Sequence, residues 1–421
     1  MNTCVKALTG EPWMCPPRFE VELISPVVAS EWTWRQLGPE HSAIQANFLR
    51  HNDAEKAIDL ISERYGDPLG YCVLGGNIAC VSGWQDLDFD RQYRAVTTGA
   101  GAFPCGGMYY LHVTGCDAAR TLELLTPRSI SRLEIGQAAF TLFTTPEGTV
   151  DTEAIVLRDG PHSYQLSIGG DTRPPSWLFE ALNHQLEVTV EDANLTSFNI
   201  KGPRRNTAMA RLVAPECVPA ITRLPTFRGI PVRTRLGAHV WVLRTIVGIE
   251  MWGPPEVIHD VWHDILLDSD HVMPCGWDVL ASFRLECAQI QFFLCPLDIH
   301  RSTYLHDVGL AHVISRSKHS PFVGQLALQQ PERRGGALWM AGLVPTTVDA
   351  SRLAVGEVLH TLGGARAGYV TTAGRSPAVG RELCFAHLSR HVVQGSLIRS
   401  EDATAWRVVP LPILPNLNDH S

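Results

Sequence analysis

Apolar and polar positions alternate in short stretches along much of this 421-residue chain, with Gly and Pro breaking them up. Residues 51–64 set Ala57, Ile58 and Ile61 at helical spacing and predict a short amphipathic helix. Strand-like stretches follow near 71–82 and 107–114, and 117–125 predicts a helix with Asp117 as its N-cap. The stretches 138–144 and 152–158 predict two strands joined by the turn Pro146-Glu147-Gly148, and residues 162–168 alternate as a third. A similar mixture recurs over 186–199 and 238–252, separated by helices near 176–184 and 256–267. Strands and helices interleave without the regular rhythm of a doubly wound sheet, so the predicted class is α+β. Beyond Pro331-Glu332-Arg333-Arg334-Gly335-Gly336 the pattern becomes short strands divided by Gly and Pro. That predicts an irregular N-terminal extension over 1–50, a main region over 51–330 and a small β-domain over 331–421.

Composition narrows the function classes. Hydrophobic residues make up 45% and charged residues 19%, as expected of a well-buried chain long enough for two or three packed domains. A formal charge of −8 supplies no basic face for a nucleic-acid partner, although a small anionic ligand stays compatible with a local cluster. No run approaches the roughly eighteen apolar residues of a membrane span, and no signal-peptide stretch follows Met1. The eleven cysteines are scattered from Cys4 to Cys384 with no C-x-x-C pair, which reads as small buried hydrophobes in a reducing compartment. A cytoplasmic location is the expectation.

The familiar chemical motifs are missing: there is no G-x-S-x-G, no P-loop and no G-x-G-x-x-G after a strand. Asp298, His300, His306 and Asp307 carry four possible metal ligands, but their spacing fits no common zinc pattern, and no metal is expected. The segment from Glu147 to Arg158 reads as a turn and a strand, with Glu153 just ahead of Ala154-Ile155-Val156. A carboxyl entering the core there would be desolvated and its pKa raised. The segment by itself favours the plainer reading, a strand-edge glutamate facing water.

The segments 148–153, 248–250, 274–276 and 368–374, in that order along the chain, resemble the glycine-cleavage T-protein and tetrahydrofolate-dependent demethylase superfamily. Gly148 to Glu153 resembles the start of its G-G-x-x-D-D-L-x-V segment, with Glu153 at the second, catalytic aspartate. Upstream, Thr98-Gly99-Ala100-Gly101-Ala102-Phe103 resembles the helix-ending segment before D-V-S-H-M. Gly136-Gln137-Ala138-Ala139-Phe140-Thr141 resembles G-x-A-x-Y-[ST], with Phe140 for the tyrosine. Val188 to Asp192 and Ile200-Lys201-Gly202-Pro203 resemble V-x-V-x-D and L-Q-G-P. Gly248-Ile249-Glu250 resembles the end of G-Y-[ST]-G-E-x-G-[FY]-E, whose last glutamate contacts the pterin. Pro274-Cys275-Gly276 with Arg284-Leu285-Glu286 resembles P-C-G-L-x-A-R-D-x-L-R-L-E, and Gly368 to Gly374 with Ser376-Pro377 resembles the C-terminal G-x-V-T-S-G…S-P signature.

The resemblance implies three domains around a central channel that holds tetrahydrofolate, with a small C-terminal β-barrel. It implies a catalytic role for Glu153 near folate N5 and a pterin-binding role for Glu250. Phe140 and Trp252 become candidates to pack against the pterin or a substrate ring, and Asp171 stands at the last asparagine of the family's N-A-A-N turn. Departures bear on the donor. D-V-S-H-M reads Pro104-Cys105-Gly106-Gly107-Met108, the N-A-A-N turn reads Ile168-Gly169-Gly170-Asp171, and Leu280 stands where the family places a folate-contacting arginine. These losses of polarity favour a methyl group taken from a small methoxy compound as the small-molecule donor. Aminomethyl transfer of the glycine-cleavage type and a non-catalytic folate-binding regulator are the alternatives.

Overall fold

The computed structural model describes residues 35–37, 54–74, 78–104, 108–169, 186–246, 248–287, 298–299, 303–316, 318–330 and 338–414. The chain opens with β1 (Arg35–Leu37), α1 (Ala54–Tyr65), β2 (Tyr71–Leu74) and β3 (Ile78–Val81). It continues through α2 (Phe89–Thr98), β4 (Gly101–Pro104), β5 (Tyr109–Thr114) and α3 (Ala118–Leu125). Three long strands come next, β6 (Ala138–Thr144), β7 (Val150–Gly160) and β8 (Ser163–Gly169), then β9 (Thr189–Asp192) and β10 (Thr196–Lys201). After α4 (Arg205–Ala210) and α5 (Val218–Thr222) come β11 (Arg228–Arg233), β12 (His239–Arg244) and β13 (Ile249–Gly253). The helix α6 (Pro255–Leu267), the short β14 (Met273–Pro274), α7 (Trp277–Cys287) and α8 (Gln325–Gln329) lead to the last domain. That domain is built from β15 (Leu338–Pro345), β16 (Val358–Thr361), β17 (Arg366–Ser376), β18 (Arg381–Ser389), β19 (Leu397–Arg399) and β20 (Ala405–Val409).

Beside a small sheet of β1, β2 and β3, the strands form two open sheets and a barrel. One sheet runs β11-β12-β13-β10-β4-β14, the other β6-β7-β8-β5-β9, and β15 to β20 close into a six-stranded barrel. The α+β class and the C-terminal barrel both hold. The strand pattern placed the ends of β6, β7 and β8 to within two residues because the turn between β6 and β7 and the alternation of β8 are local signals. Asp117 precedes α3, but its side chain makes no cap bond to that helix; its Oδ2 accepts from Glu187 N at 3.0 Å instead. The expected helix near 176–184 and the boundary at 331–336 fall outside the described residues. Among the described residues, no helix is long and apolar enough to cross a membrane.

Two apolar clusters position the site. The first lies between the two open sheets, where Tyr110, Ala138, Ile155 and Leu157 meet Leu243 and Trp252. The second joins the β6–β7 face to α7 and the barrel: Phe140, Leu142 and Val150 pack with Leu285, Ile299, Met340, Leu383 and Phe385. Burying several large side chains in each, at about 1.5–3 kcal/mol apiece, fixes which strand faces look at one another.

Candidate active site

The middle sheet presents one polar row inward. In an antiparallel pair, residues directly opposite share a face, and so do residues two apart on one strand. Tyr110 pairs with Ser167, Ser167 with Ile155, and Ile155 with Phe140. One step along, Gly169 pairs with Glu153, and Glu153 with Leu142. Glu153 therefore shares the face of Ile155 and Phe140, which looks towards Trp252 on one side and α7 on the other. It is not the strand-edge residue in water that its own segment favours: part of the side chain stays open, but Oε2 is closed off from solvent.

The facing sheet answers with a second row. Asn199 on β10 lies opposite Glu250 on β13, and Ser197 lies opposite Trp252. Glu250 Oε1 accepts from Asn199 Nδ2 at 2.9 Å, and Oε2 accepts from Trp252 Nε1 at 2.8 Å. Gly248 is needed here, since a Cβ at that position would stand 2.1 Å from Asn199 Oδ1. Burial raises the Glu250 carboxyl, while the indole donor, the Lys201 charge and the Asn199 amide each pull it back down. Each Glu250 oxygen keeps a lone pair after these bonds, so a ligand N–H could still be accepted. Tyr110 bridges the two sheets, donating through its hydroxyl to Ser197 Oγ at 2.6 Å while its ring meets Trp252 edge-on, centroids 5.4 Å apart.

A buried ion pair lies beside Glu153. Arg284 on α7 donates to Asp298, and both side chains are almost completely shut off from water. Asp298 Oδ1 also accepts from Thr371 Oγ1 at 2.7 Å and Thr372 Oγ1 at 2.8 Å, and His387 Nε2 donates to the Asp298 carbonyl at 2.8 Å. Consecutive strand residues normally point to opposite faces. A bulge between Val370 and Thr372 inserts one residue, so both threonine hydroxyls reach one oxygen. Helix α7 is held in turn through Glu286, which accepts from Tyr93 Oη at 2.6 Å. Burial pushes the Glu153 carboxyl up to about 8; the Arg284 guanidinium pulls it down and the Asp298 carboxylate adds to the rise. Burial thus favours the protonated form in Glu153 more than in an ordinary glutamate.

Among the described residues, three buried polar atoms on these inward faces have no hydrogen-bond partner: Glu153 Oε2, Ser167 Oγ and Asn199 Oδ1. Orphaned polar atoms are costly, by about 1–3 kcal/mol each, and a ligand between the two sheets with its own donors could satisfy such acceptors. Of the residues expected from the sequence, Glu153, Glu250 and Trp252 face this space. Trp252 is fully buried, with its indole N–H committed to Glu250. Phe140 is packed among Leu142, Val150 and Leu285, with 5% of its surface exposed. Asp171 lies outside the described residues. Leu280, partly buried, packs against Cys287, as Ile246 and Phe283 also do, so the position of the expected arginine is apolar.

Asp298 and Asp307, two of the four possible metal ligands, are engaged structurally. Asp307 accepts from Arg390 at 2.6 Å, and His300 lies outside the described residues. Among the described residues, no cluster of three or more potential ligands occurs. Asn199, Ser167, Gly169 and Arg284 were not singled out as site residues from the sequence, and Asp298 was weighed there only as a possible metal ligand. For Arg284 a signal existed, since Arg284-Leu285-Glu286 matches a family segment.

Comparison with known proteins bears on the fold and the family. The chain is 27% identical over 318 residues to an aminomethyltransferase of Thermosynechococcus vestitus, covering 72% of this chain and 82% of that protein. It is 26% identical over 353 residues to an aminomethyltransferase of Rubrobacter xylanophilus, covering 80% and 91%. The crystal structure of glycine cleavage system aminomethyltransferase T from Bartonella henselae superposes with a TM-score of 0.73 at 19% identity, over 85% of this chain and 97% of that one, which establishes a shared fold. The model of the GCVT N-terminal domain family matches residues 55–318, and the chain belongs to that family.

Proposed function

We propose that the protein is a tetrahydrofolate-dependent one-carbon transferase, with the pterin held between the two open sheets. The observation that carries this reading is the placement of Glu153. Its carboxyl has one oxygen shut off from solvent and with no hydrogen-bond partner among the described residues, on the face opposite the Glu250 carboxyl held by Asn199 and Trp252. The residues fit the cofactor chemically. Glu250 and Asn199 Oδ1 offer acceptors to the amino and ring N–H groups of a pterin, and charge-assisted bonds of that kind are about twice as strong as neutral ones. When bound, tetrahydrofolate would supply a nucleophilic ring nitrogen. Glu250 fixes the ring's orientation, the Trp252–Tyr110 contact walls off water, and Glu153 holds or gives a proton at Oε2. Holding two reactants in contact can remove roughly 7–11 kcal/mol of barrier, so much of the work asked of this site is positional.

The one-carbon unit favoured by the comparisons is an aminomethyl group, since the relatives are named aminomethyltransferases. A second reading, a methyl group taken from a small methoxy compound, is favoured by Leu280, which leaves an arginine position apolar, and by the burial of Glu153, which favours the protonated form that suits a leaving oxygen. Incubation with tetrahydrofolate and either an aminomethyl-lipoyl carrier protein or a panel of methoxybenzoates, followed by chromatography of the folates, separates them. Methylene-tetrahydrofolate with ammonia supports the first reading. 5-Methyl-tetrahydrofolate formed one-for-one with a hydroxy compound supports the second. Folded protein that gives no saturable heat with tetrahydrofolate in calorimetry would remove both.

A further inference from the structure

Glu153 does not stand upright from its strand. Side chains on a pleated sheet normally project roughly perpendicular to it, and facing Cβ atoms keep neighbouring strands' side chains apart. Opposite Glu153 stands Gly169. A Cβ built at Gly169 would lie 2.7 Å from Glu153 Oε1, 3.1 Å from Cγ and 3.3 Å from Cδ. Three consecutive parts of the glutamate therefore occupy the space in which a side chain at 169 would begin. The backbone there cannot easily give way, because Thr152 Oγ1 donates to the Gly169 carbonyl at 2.7 Å. Thr152 neighbours Glu153 on the same strand and points to the other face, so one strand holds residue 169 from both sides of the sheet.

We propose that Gly169 is the positioning residue for Glu153: by presenting no side chain, it lets the glutamate lie back across β8 and keeps its carboxyl against the sheet. The extra methylene of a glutamate would otherwise push the acid out into the inter-sheet space where the reactants must fit. The pair is thus a matched exchange of volume, a longer acid beside a residue with no side chain. This proposal rests on the one-carbon-transfer reading for its catalytic meaning, but the pairing itself is structural and is tested separately.

The test is a cycle of Gly169→Ala, Glu153→Asp and the double variant. Three measurements are made on the full chain: melting temperature, turnover with tetrahydrofolate, and the pH at which the protonated Glu153 carboxyl band disappears in infrared spectra. Glu153→Gln identifies that band. Gly169→Ala is expected to shift the band's titration and to lower kcat by about tenfold or more, with folate affinity within about threefold because the Glu250 side is untouched. Added to Glu153→Asp, the same alanine should cost little in melting temperature and leave kcat within about threefold of Glu153→Asp alone. An alanine that costs the same in both backgrounds, or that leaves band and turnover unmoved, overturns the proposal. If Gly169→Ala fails to fold, a folded double variant supports the pairing, and an unfolded double variant beside a folded Glu153→Asp refutes it. If the wild type turns over no donor, the functional reading fails, while the band and the melting cycle still decide the pairing.

Discussion

Arg284 and Asp298 form an ion pair in which neither side chain reaches water, and Glu153 lies in the field of both charges. The pair joins helix α7 to Asp298, which the barrel strand β17 also holds, while Glu153 belongs to the middle sheet. Three parts of the molecule therefore meet in one electrostatic arrangement. Breaking such a buried pair from one side leaves an uncompensated charge, which costs several kcal/mol, so its testing calls for isosteric changes.

Asp298→Asn keeps an oxygen for the Thr371 and Thr372 hydroxyls and removes the negative charge. Glu153 then loses a like charge and feels Arg284 unopposed, so its proton should leave at lower pH. If the protonated form is the active one, the alkaline limb of kcat should move down from about 8 in this variant. An alkaline limb identical to wild type would mean that another group sets it.

Stability should carry the same signature. Glu153 in the folded protein, at about 8, binds a proton more tightly than an ordinary glutamate does unfolded, at roughly 4.3. Between those values the native state holds more protons, so this residue makes stability fall as pH rises, with no further change above about 8. Glu153→Gln should remove that slope and be relatively more stable than wild type at pH 8 than at pH 5. Urea denaturation at the two pH values measures it, and an unchanged difference would rule out the raised proton affinity.

Turnover should separate Glu153 from Glu250. Glu153→Gln should keep folate affinity and lower kcat about tenfold or more, near 1.4 kcal/mol of barrier. Glu250→Ala should instead weaken tetrahydrofolate binding by about 1.5–3 kcal/mol, as for a lost bond to a charged group. It should also leave Asn199 Nδ2 and Trp252 Nε1 without an acceptor, lowering the melting temperature. Calorimetry giving equal affinity for wild type and Glu250→Ala would place the pterin elsewhere.

Chelation gives a simpler check. Asp298 and Asp307 are occupied by arginines and hydroxyls, so activity should survive prolonged treatment with a strong chelator. Loss of activity together with a stoichiometric metal, and recovery on adding it back, would overturn this.

Much of the architecture was legible because it rests on local patterns. The alternation of β6 to β8 and the Gly- and Pro-divided stretches of the barrel are visible within a few residues of sequence. The site was legible only in part. Glu153 and Glu250 emerged from resemblance, because nothing within the strand of Glu153 tells a buried acid from one at a water-facing edge. What decides it is the packing of α7 and the barrel against β6 and β7, contacts that join residues far apart in the chain. The match of Glu153 to Gly169 was hidden for the same reason. It is a cross-strand fit, and neither residue alone carries the signal.

The bulge in β17 ties the geometry of the barrel to the buried ion pair beside Glu153. Strict alternation along that strand would turn one of the two threonine hydroxyls away, and Asp298 Oδ1 would lose a donor. The aspartate would then be held less firmly against Arg284. A one-residue slip among barrel strands would thus be felt first as a loosened anchor for helix α7, two domains' worth of packing joined through one carboxylate.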